Sequence, residues 1–357
     1  MAVKHRVVRS ALGLAALALP AAGGIAQQAA PIPIVKQGAF EAGGTMLRDG
    51  DKTLSCDHGY VEYQIPAHAR QVSLFLWHSS SARVWQNRWD GGEGYQSIFL
   101  RRGYPVYLWD GPRVGRGNWG CASYTYTPSV GQDQQNFIAW RLGAKYPEWF
   151  PGVQFPINDK EAWDQATRAR YDEFDTVENA ELEAEAAAKA IDRIGPTVAV
   201  TNSAGGLRAL LASLRSDNIK AIVAYEDPGF IFPSDVESPE QPGGRFGPVI
   251  VSPEAFQKLT RIPIQFVFGD NIDKSPSWSA HVETCRKFVA LLNARGGKAE
   301  LLFLPSVGLK GNTHIPFADL NNVAVADQLS VFLHRNRLDL RGGSGRKAAS
   351  TEAPSFR

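Results

Sequence analysis

The stretch that decides the fold class reads PTVAVTNSAGGLRAL, from Pro196 to Leu210. Its β-branched and small apolar residues predict a buried strand, and the residues after Gly206 predict a helix. Ser203 stands in the turn between them, among small residues that let strand and helix approach closely. Such a turn holds a serine in a strained conformation with its Oγ exposed, which is the arrangement of a catalytic nucleophile. The usual pattern is G-x-S-x-G, and Thr201 replaces its first glycine.

The same order of strand, loop and helix recurs on both sides of this segment. Short β-like runs such as Gly59–Ile65 come first, and a series of apolar runs bounded by Gly, Pro, Asp or polar turns follows. This alternation predicts an α/β fold with a mostly parallel central sheet flanked by helices. The predicted core strands are Val72–Trp77, Val106–Trp109, Thr197–Thr201, Ala221–Tyr225, Ile264–Phe268 and Leu301–Leu304. The predicted helices are Gln96–Arg102, Val177–Ile194, Leu207–Leu214, Trp278–Arg295 and Asn321–Leu338.

The composition is that of a large globular domain. The 357 residues are 44% hydrophobic and include 34 Gly and 22 Pro, so we expect one catalytic domain over residues 33–338. Charged residues of both signs are interspersed and form no basic stripe, which argues against nucleic acid as a partner. The sequence does not indicate an oligomeric state.

One stretch departs from the alternation. Residues 120–175 are rich in Trp, Tyr, Phe and Pro, as in KYPEWFP from Lys145 to Pro151. We interpret this stretch as a cap inserted over the sheet, with the alternative that its aromatic residues belong to the main core.

The sequence predicts that both ends of the chain lie outside the domain. Three basic residues precede an apolar run, Ala11–Ala22, and small residues up to Ala26, which predicts a signal peptide over residues 1–26 and a periplasmic or secreted protein. The run is short for a membrane span, with an uncleaved anchor as the alternative. Once the signal peptide is removed, we expect no stable span. Residues 341–357 contain almost no large apolar side chain and are predicted to be disordered.

Export permits a disulfide bond, and the three cysteines leave one over. Cys56 and Cys121 lie in loop-like sequence and are the candidate pair. Cys285 falls on the apolar stripe of a predicted helix, so we expect a buried thiol.

The histidines can be sorted by position. His314 stands in GNTHIP, a loop between the last predicted strand and the last predicted helix, and is the candidate general base for Ser203. His78 follows the strand Val72–Trp77 and is followed by three serines. We expect a backbone N–H at Ser79 or Ser80 to serve there as an oxyanion donor, together with the N–H of Ala204 at the start of the helix after Ser203.

The residues alone leave the orienting acid open. Glu226 follows the strand after Ser203, and Asp270 and Asp273 follow the next strand. Either position would place a carboxylate near the loop of His314.

Four motifs together resemble a small branch of exported bacterial esterases in the α/β-hydrolase superfamily. They are NSAGG at Asn202, YEDP at Tyr225, FGD at Phe268, and GNTH at Gly311 with DLNN at Asp319. The likeness spans about Val72–Leu338. It implies an α/β-hydrolase fold and a Ser203-Glu226-His314 triad. At the oxyanion loop this chain has serines where relatives have a glycine-rich or paired-cysteine sequence.

The leading expectation is therefore a serine hydrolase that cleaves a small carboxylic ester through an acyl-enzyme. The aromatic insertion suggests an apolar or aromatic substrate group. An acyltransferase would use the same triad, and an α/β-hydrolase scaffold kept as a binding protein is the non-enzyme alternative. No metal-ligand spacing, phosphate loop or dinucleotide fingerprint stands in the sequence, so we expect neither metal nor cofactor.

Overall fold

The computed structural model describes residues 30–124, 127–171, 173–239 and 246–342. The chain divides into a short N-terminal unit, Met1–Pro31, and a large unit that begins at Ile32, and the architecture is that of the large unit. The predicted signal peptide lies outside the described residues, as does the predicted tail from residue 343 onward. At the start of that tail, Arg341 forms an isolated β-bridge with Arg70.

The strands of the large unit agree with the predicted core strands to within a few residues. In chain order the strands are β1 (Ile34–Asp49), β2 (Lys52–Pro66), β3 (Ser73–His78), β4 (Val106–Asp110), β5 (Gly143–Lys145), β6 (Glu148–Trp149), β7 (Thr197–Asn202), β8 (Ile219–Tyr225), β9 (Ile231–Pro233), β10 (Val249–Val251), β11 (Pro263–Phe268) and β12 (Lys298–Phe303).

In chain order the α-helices are α1 (Tyr95–Arg101), α2 (Gln132–Ala139), α3 (Ala162–Arg168), α4 (Val177–Ile194), α5 (Gly205–Ser213), α6 (Pro253–Gln257), α7 (Pro276–Ala294) and α8 (Asn322–Arg335). Of these, α1, α4, α5, α7 and α8 agree with the five predicted helices to within a few residues, and α2, α3 and α6 were not predicted. Short 3₁₀ helices follow several strands, among them Ile272–Lys274 after β11 and Leu304–Val307 after β12.

Among the described residues, eight strands form the central sheet in the order β1-β2-β4-β3-β7-β8-β11-β12. Six of them, from β4 to β12, run parallel to their neighbours, and the long hairpin of β1 and β2 adds an antiparallel edge. The prediction of a mostly parallel sheet is confirmed. The length of the hairpin was not predicted, because β1 is largely exposed and carries little apolar periodicity.

Side chains alternate between the two faces of the sheet and build two cores. In β3, Leu74 and Leu76 belong to one core, while Phe75 and Trp77 belong to the other. Helices α1 and α8 cover the first face, and α4, α5 and α7 cover the second. Burial on both faces explains why the central strands read as continuous apolar runs in the sequence.

The aromatic stretch lies between β4 and α4. It contains α2, the short pair of β5 and β6, and α3. Its rings, among them Phe137, Trp149 and Trp163, pack on one another and join the core on the α1 side of the sheet.

Parallel strands place their carboxyl ends at one edge, which is where α/β proteins bind ligands. Ser203 directly follows β7, Glu226 follows β8, and Ser79 follows β3. Within the described residues no helix is both long and apolar enough to cross a membrane.

Candidate active site

Ser203 occupies the sharp turn between β7 and α5. Its φ is +54°, a conformation that residues other than glycine seldom adopt. Its N–H donates to the carbonyl of Tyr225 at 3.0 Å, which fixes the turn against β8. A side chain at Gly206 would collide with Asp227, since a Cβ there would lie 2.2 Å from the carboxyl group. The small residues after Ser203 are therefore required by packing, as the sequence pattern predicted.

His314 lies in the loop between β12 and α8, and this loop is held by Asp319. The carboxylate of Asp319 accepts bonds from the N–H and the hydroxyl of Thr313 and from the amide of Asn312. The backbone of His314 is bound on both sides. Its N–H donates to the carbonyl of Trp140 at 3.0 Å, and its carbonyl accepts from Nδ2 of Asn202 at 3.0 Å.

Glu226 brings its carboxylate beneath this histidine. It follows β8 with a φ of +56° and is fully buried. Oε2 lies 3.5 Å from Nδ1 of His314. Oε1 accepts from Nη2 of Arg141 at 2.7 Å and from the N–H of Gly269 at 2.5 Å.

The charges around this pair set its protonation. Burial alone would raise the pKa of Glu226, but the Arg141 charge and the hydrogen bond with His314 outweigh burial and keep the pKa below its usual value. Burial lowers the pKa of His314, the nearby Arg141 lowers it further, and Glu226 opposes both. At neutral pH the site therefore holds a carboxylate and a neutral imidazole, which is the resting state that a general base needs.

The two alternative acids have other partners. The carboxylate of Asp270 accepts from the N–H of Asn271 at 2.7 Å and from the N–H of Gly311 at 2.7 Å, so it ties two loops together. Asp273 lies in the 3₁₀ helix Ile272–Lys274 and is exposed.

On the other side of Ser203, the loop after β3 approaches the start of α5. A Cβ on Gly205 would lie 3.7 Å from the backbone nitrogen of Ser79, so that nitrogen abuts the turn. The N–H groups of Ser80 and Ser81 instead donate to Nδ1 of His78 at 2.9 and 3.2 Å. Of the two serines expected to supply an oxyanion donor, Ser80 is thus already engaged. Burial lowers the pKa of His78 to about 3, so its imidazole is neutral.

Ser203 and His314 line one small cavity above the carboxyl ends of the strands. Its wall combines aromatic and aliphatic side chains with an ion pair, Arg170 and Glu173, whose atoms lie 2.9 Å apart. Four lining residues come from the aromatic stretch between β4 and α4. The complete lining is His78, Ser79, Val84, Trp89, Trp140, Ala166, Arg170, Glu173, Ser203, His314 and Ile315.

Comparison with known proteins gives the same fold. A solved structure described as a novel bacterial esterase superposes on 86% of this chain and 98% of its own, with a TM-score of 0.72 and 27% sequence identity. This chain has the α/β-hydrolase fold. No family model matches it. A curated relative, "Probable secreted lipase phiG" of a fungus (Fungal sp. strain ATCC 74256), is 24% identical over 315 residues, which are 77% of this chain and 85% of the relative. An esterase of Pyrococcus furiosus matches 84% of the chain with a TM-score of 0.43 and 12% identity.

In this α/β-hydrolase, Cys56 and Cys121 form a disulfide bond, with their Cα atoms 5.0 Å apart. The bond links β2 to the start of the aromatic stretch. The remaining cysteine, Cys285, is buried in α7 and not bonded, so both sequence predictions about the thiols agree with the structure. Across the described ranges, no cluster of three His, Cys, Asp or Glu side chains could hold a metal ion.

Three residues at the site of this α/β-hydrolase were not predicted as site residues. They are Arg141, which binds Glu226, Asn202, which binds the carbonyl of His314, and Glu173, which lines the cavity. Asn202 alone carried a usable signal, since it adjoins Ser203. Arg141 and Glu173 reach the site through the course of the aromatic stretch, which has no periodic pattern to place them.

Proposed function

We propose that this protein is an exported serine esterase, with Ser203 as nucleophile, His314 as general base and Glu226 as orienting acid. One observation carries the proposal. Ser203 and His314 line the same cavity, and Nδ1 of His314 faces the buried carboxylate of Glu226 at 3.5 Å. The esterase and lipase relatives support ester hydrolysis as the reaction.

The chemistry follows from these roles. His314 takes the proton of the Ser203 hydroxyl as its oxygen attacks the ester carbonyl, and Glu226 stabilises the imidazolium that forms. The imidazolium then gives that proton to the departing alkoxide, which leaves an acyl group on Ser203. A water molecule then gives a proton to His314 and attacks the acyl-enzyme. The bond between the acyl group and Oγ of Ser203 breaks, the imidazolium returns the proton to Oγ, and the acid is released.

The negative charge on the carbonyl oxygen needs donors on the far side of Ser203. The N–H of Ala204 at the start of α5 and the N–H of Ser79 are the groups that we assign to this task. The packing of Ser79 nitrogen against Gly205 supports the second assignment.

We assign the role of a cap to the stretch 120–175. Four cavity residues come from it, and Trp140 with Ala166 gives the cavity an apolar wall. The substrate that fits best is a small ester with an apolar or aromatic group on the side of Trp140. Activity against p-nitrophenyl esters of increasing acyl length would measure how far the acyl side of this space extends.

Three features support the export of this protein. The predicted signal peptide, the bond between Cys56 and Cys121, and the fungal relative described as secreted support a periplasmic or extracellular location.

Labelling with a fluorophosphonate probe tests the function directly. The wild type should be labelled on Ser203, and Ser203→Ala should lose both labelling and esterase activity, the latter by a factor on the order of 10⁴ to 10⁶. Ser306→Ala is the control, because Ser306 is exposed on the segment after β12 and its hydroxyl donates to the carbonyl of Phe303. Labelling that persists in Ser203→Ala would refute the assignment. Adding an alcohol and measuring acyl transfer to it separates a hydrolase from an acyltransferase.

A further inference from the structure

The residues at the end of α2 are hydrogen-bonded to segments around His314 and Glu226. The carbonyl of Ala139 accepts from Nε1 of Trp278 at 2.8 Å, and the carbonyl of Trp140 accepts from the N–H of His314 at 3.0 Å. One residue later, Nε of Arg141 donates to the carbonyl of Asp270 at 2.9 Å. Three consecutive residues of the aromatic stretch thus bind three separate segments that converge on the site.

Arg141 reaches further than its two neighbours. Its side chain is 1% exposed, and Nη2 lies 2.7 Å from Oε1 of Glu226. Its guanidinium also stacks over the ring of Trp278 at 4.9 Å, and that ring lies 4.8 Å from the imidazole of His314. Its backbone has a φ of +56°, a conformation that residues other than glycine seldom adopt.

The two oxygens of the Glu226 carboxylate differ in their hydrogen bonding. Oε1 receives both strong donors, from Arg141 and from the N–H of Gly269. In the described part of the chain, Oε2 has no hydrogen-bond partner, and Nδ1 of His314 lies 3.5 Å from it. A carboxylate anchored through one oxygen cannot rotate freely, so its second oxygen stays directed at the imidazole.

We propose that Arg141 is a positioning residue of the triad: it anchors Oε1 of Glu226 so that Oε2 is reserved for His314, and it supplies the charge that keeps this buried carboxylate ionised. The proposal rests on the proposed function, because it assigns Arg141 a task in the activation of Ser203. Arg141 itself touches neither the ester nor Ser203.

The electrostatic reason is the burial of Glu226. A fully buried carboxylate beside a neutral imidazole would tend to take up a proton, since desolvation penalises its charge. The guanidinium balances that charge while His314 is neutral. Other charged or titratable groups that act on the pair are Glu173, His78 and His281 around the imidazole and Asp319 near the carboxylate.

Removing the charge of Arg141 should therefore change the pH at which the Glu226–His314 pair binds a proton. The Glu226–His314 pair would bind one proton at a higher pH than it does in the wild type, whichever of the two groups carries it. In either form His314 loses its ability to act as the base. The acid limb of the activity profile must then move to higher pH.

The test is the rate of fluorophosphonate labelling of Ser203 as a function of pH, in the full-length exported protein. For Arg141→Met we expect the acid limb to move up by about one pH unit or more, and the maximal labelling rate to fall about 10- to 100-fold. Arg141→Lys keeps a charge without the two-pronged guanidinium, so its limb should stay near that of the wild type while the rate falls about tenfold.

Arg113→Met is the control for loss of an arginine that is paired with a carboxylate. The side chain of Arg113 is 18% exposed, and its Nε and Nη2 donate to the carboxylate of Asp57. Its replacement should lower the melting temperature and leave the position of the acid limb unchanged. Melting curves of all variants check folding. If Arg141→Met does not fold, a labelling rate of Arg141→Lys equal to that of the wild type would overturn the role of Arg141.

The outcomes distinguish a failure of the role of Arg141 from a failure of the proposed esterase function. An acid limb that stays in place in Arg141→Met, with wild-type protein labelled on Ser203, would overturn the role of Arg141 and leave the esterase assignment standing. A limb that moves equally in Arg113→Met would also overturn it, because the shift would then follow from the loss of any paired arginine. A wild type that is not labelled on Ser203 would overturn the proposed function and this inference with it.

Discussion

Oε2 of Glu226 lies 3.5 Å from Nδ1 of His314, and both side chains are buried. Glu226 belongs to the strand next to that of Ser203, whereas Asp270 belongs to the strand after it. The Asp270 carboxylate is occupied by the N–H groups of Asn271 and Gly311. Position and partners together favour Glu226 as the orienting acid.

Glu226→Gln should therefore lower kcat by a factor on the order of 10⁴, because an amide at this position favours the wrong tautomer of His314. Asp270→Asn should lower it only about tenfold, since the amide keeps one acceptor for the backbone N–H groups. Steady-state hydrolysis of a p-nitrophenyl ester measures both. The reverse order of effects would assign the acid to Asp270.

Asn202 joins two segments of the site through a single amide. Its Nδ2 donates to the carbonyls of Tyr225 and His314 at 3.1 and 3.0 Å. We expect Asn202→Ala to cost about 1 to 3 kcal/mol of unfolding free energy and to lower kcat about tenfold, because the buried carbonyl of His314 loses a donor and that of Tyr225 keeps only the N–H of Ser203. Asn218→Ala, at the opposite end of β8, is the control and should leave kcat unchanged. An unchanged kcat in Asn202→Ala would show that the His314 loop keeps its position without Asn202.

The burial of His78 should make the stability of the protein depend on pH. Its pKa falls from 6.5 to about 3 on burial, so between these values the unfolded chain binds a proton that the folded chain does not. Stability should consequently decrease as the pH is lowered from about 6.5, with a contribution of about 1.4 kcal/mol per pH unit from this residue. In His78→Asn that contribution is absent, so urea unfolding between pH 6 and 4 should show a shallower loss of stability. Equal slopes in variant and wild type would contradict the neutral state of His78.

The bond between Cys56 and Cys121 closes a sequence separation of 65 residues. The double variant Cys56→Ser/Cys121→Ser should lose about 2 to 5 kcal/mol of stability, because the unfolded chain regains freedom. Thermal melts with and without reductant provide the check. Reductant should lower the melting temperature of the wild type to that of the variant and leave the variant itself unaffected. If thiol counting shows that the bond in the wild type is fully reduced and its melting temperature is still unchanged, the bond does not stabilise the protein.

Local sequence alone determined the elements that carry the candidate triad. The strand, the small-residue turn at Ser203 and the helix after it are encoded within about fifteen residues, because β-branched runs, glycines and amphipathic helices act over short distances. The loop of His314 could be identified in the same way, and the cysteine pair from its loop context. From the residues alone, however, Glu226 and Asp270 were equivalent choices for the acid.

Tertiary structure gives Glu226 and Asp270 different partners. Which carboxylate faces the imidazole depends on how far the two strand ends reach and on which backbone N–H groups each carboxylate finds, and neither is a local property. The same holds for Arg141, which lies 85 residues from Glu226 in the chain and reaches it only because the aromatic stretch folds back over the sheet. Its role depends on burial, and burial is a property of the assembled fold: a charge–charge contact of this kind is weak in water and becomes strong only where the surrounding protein excludes solvent.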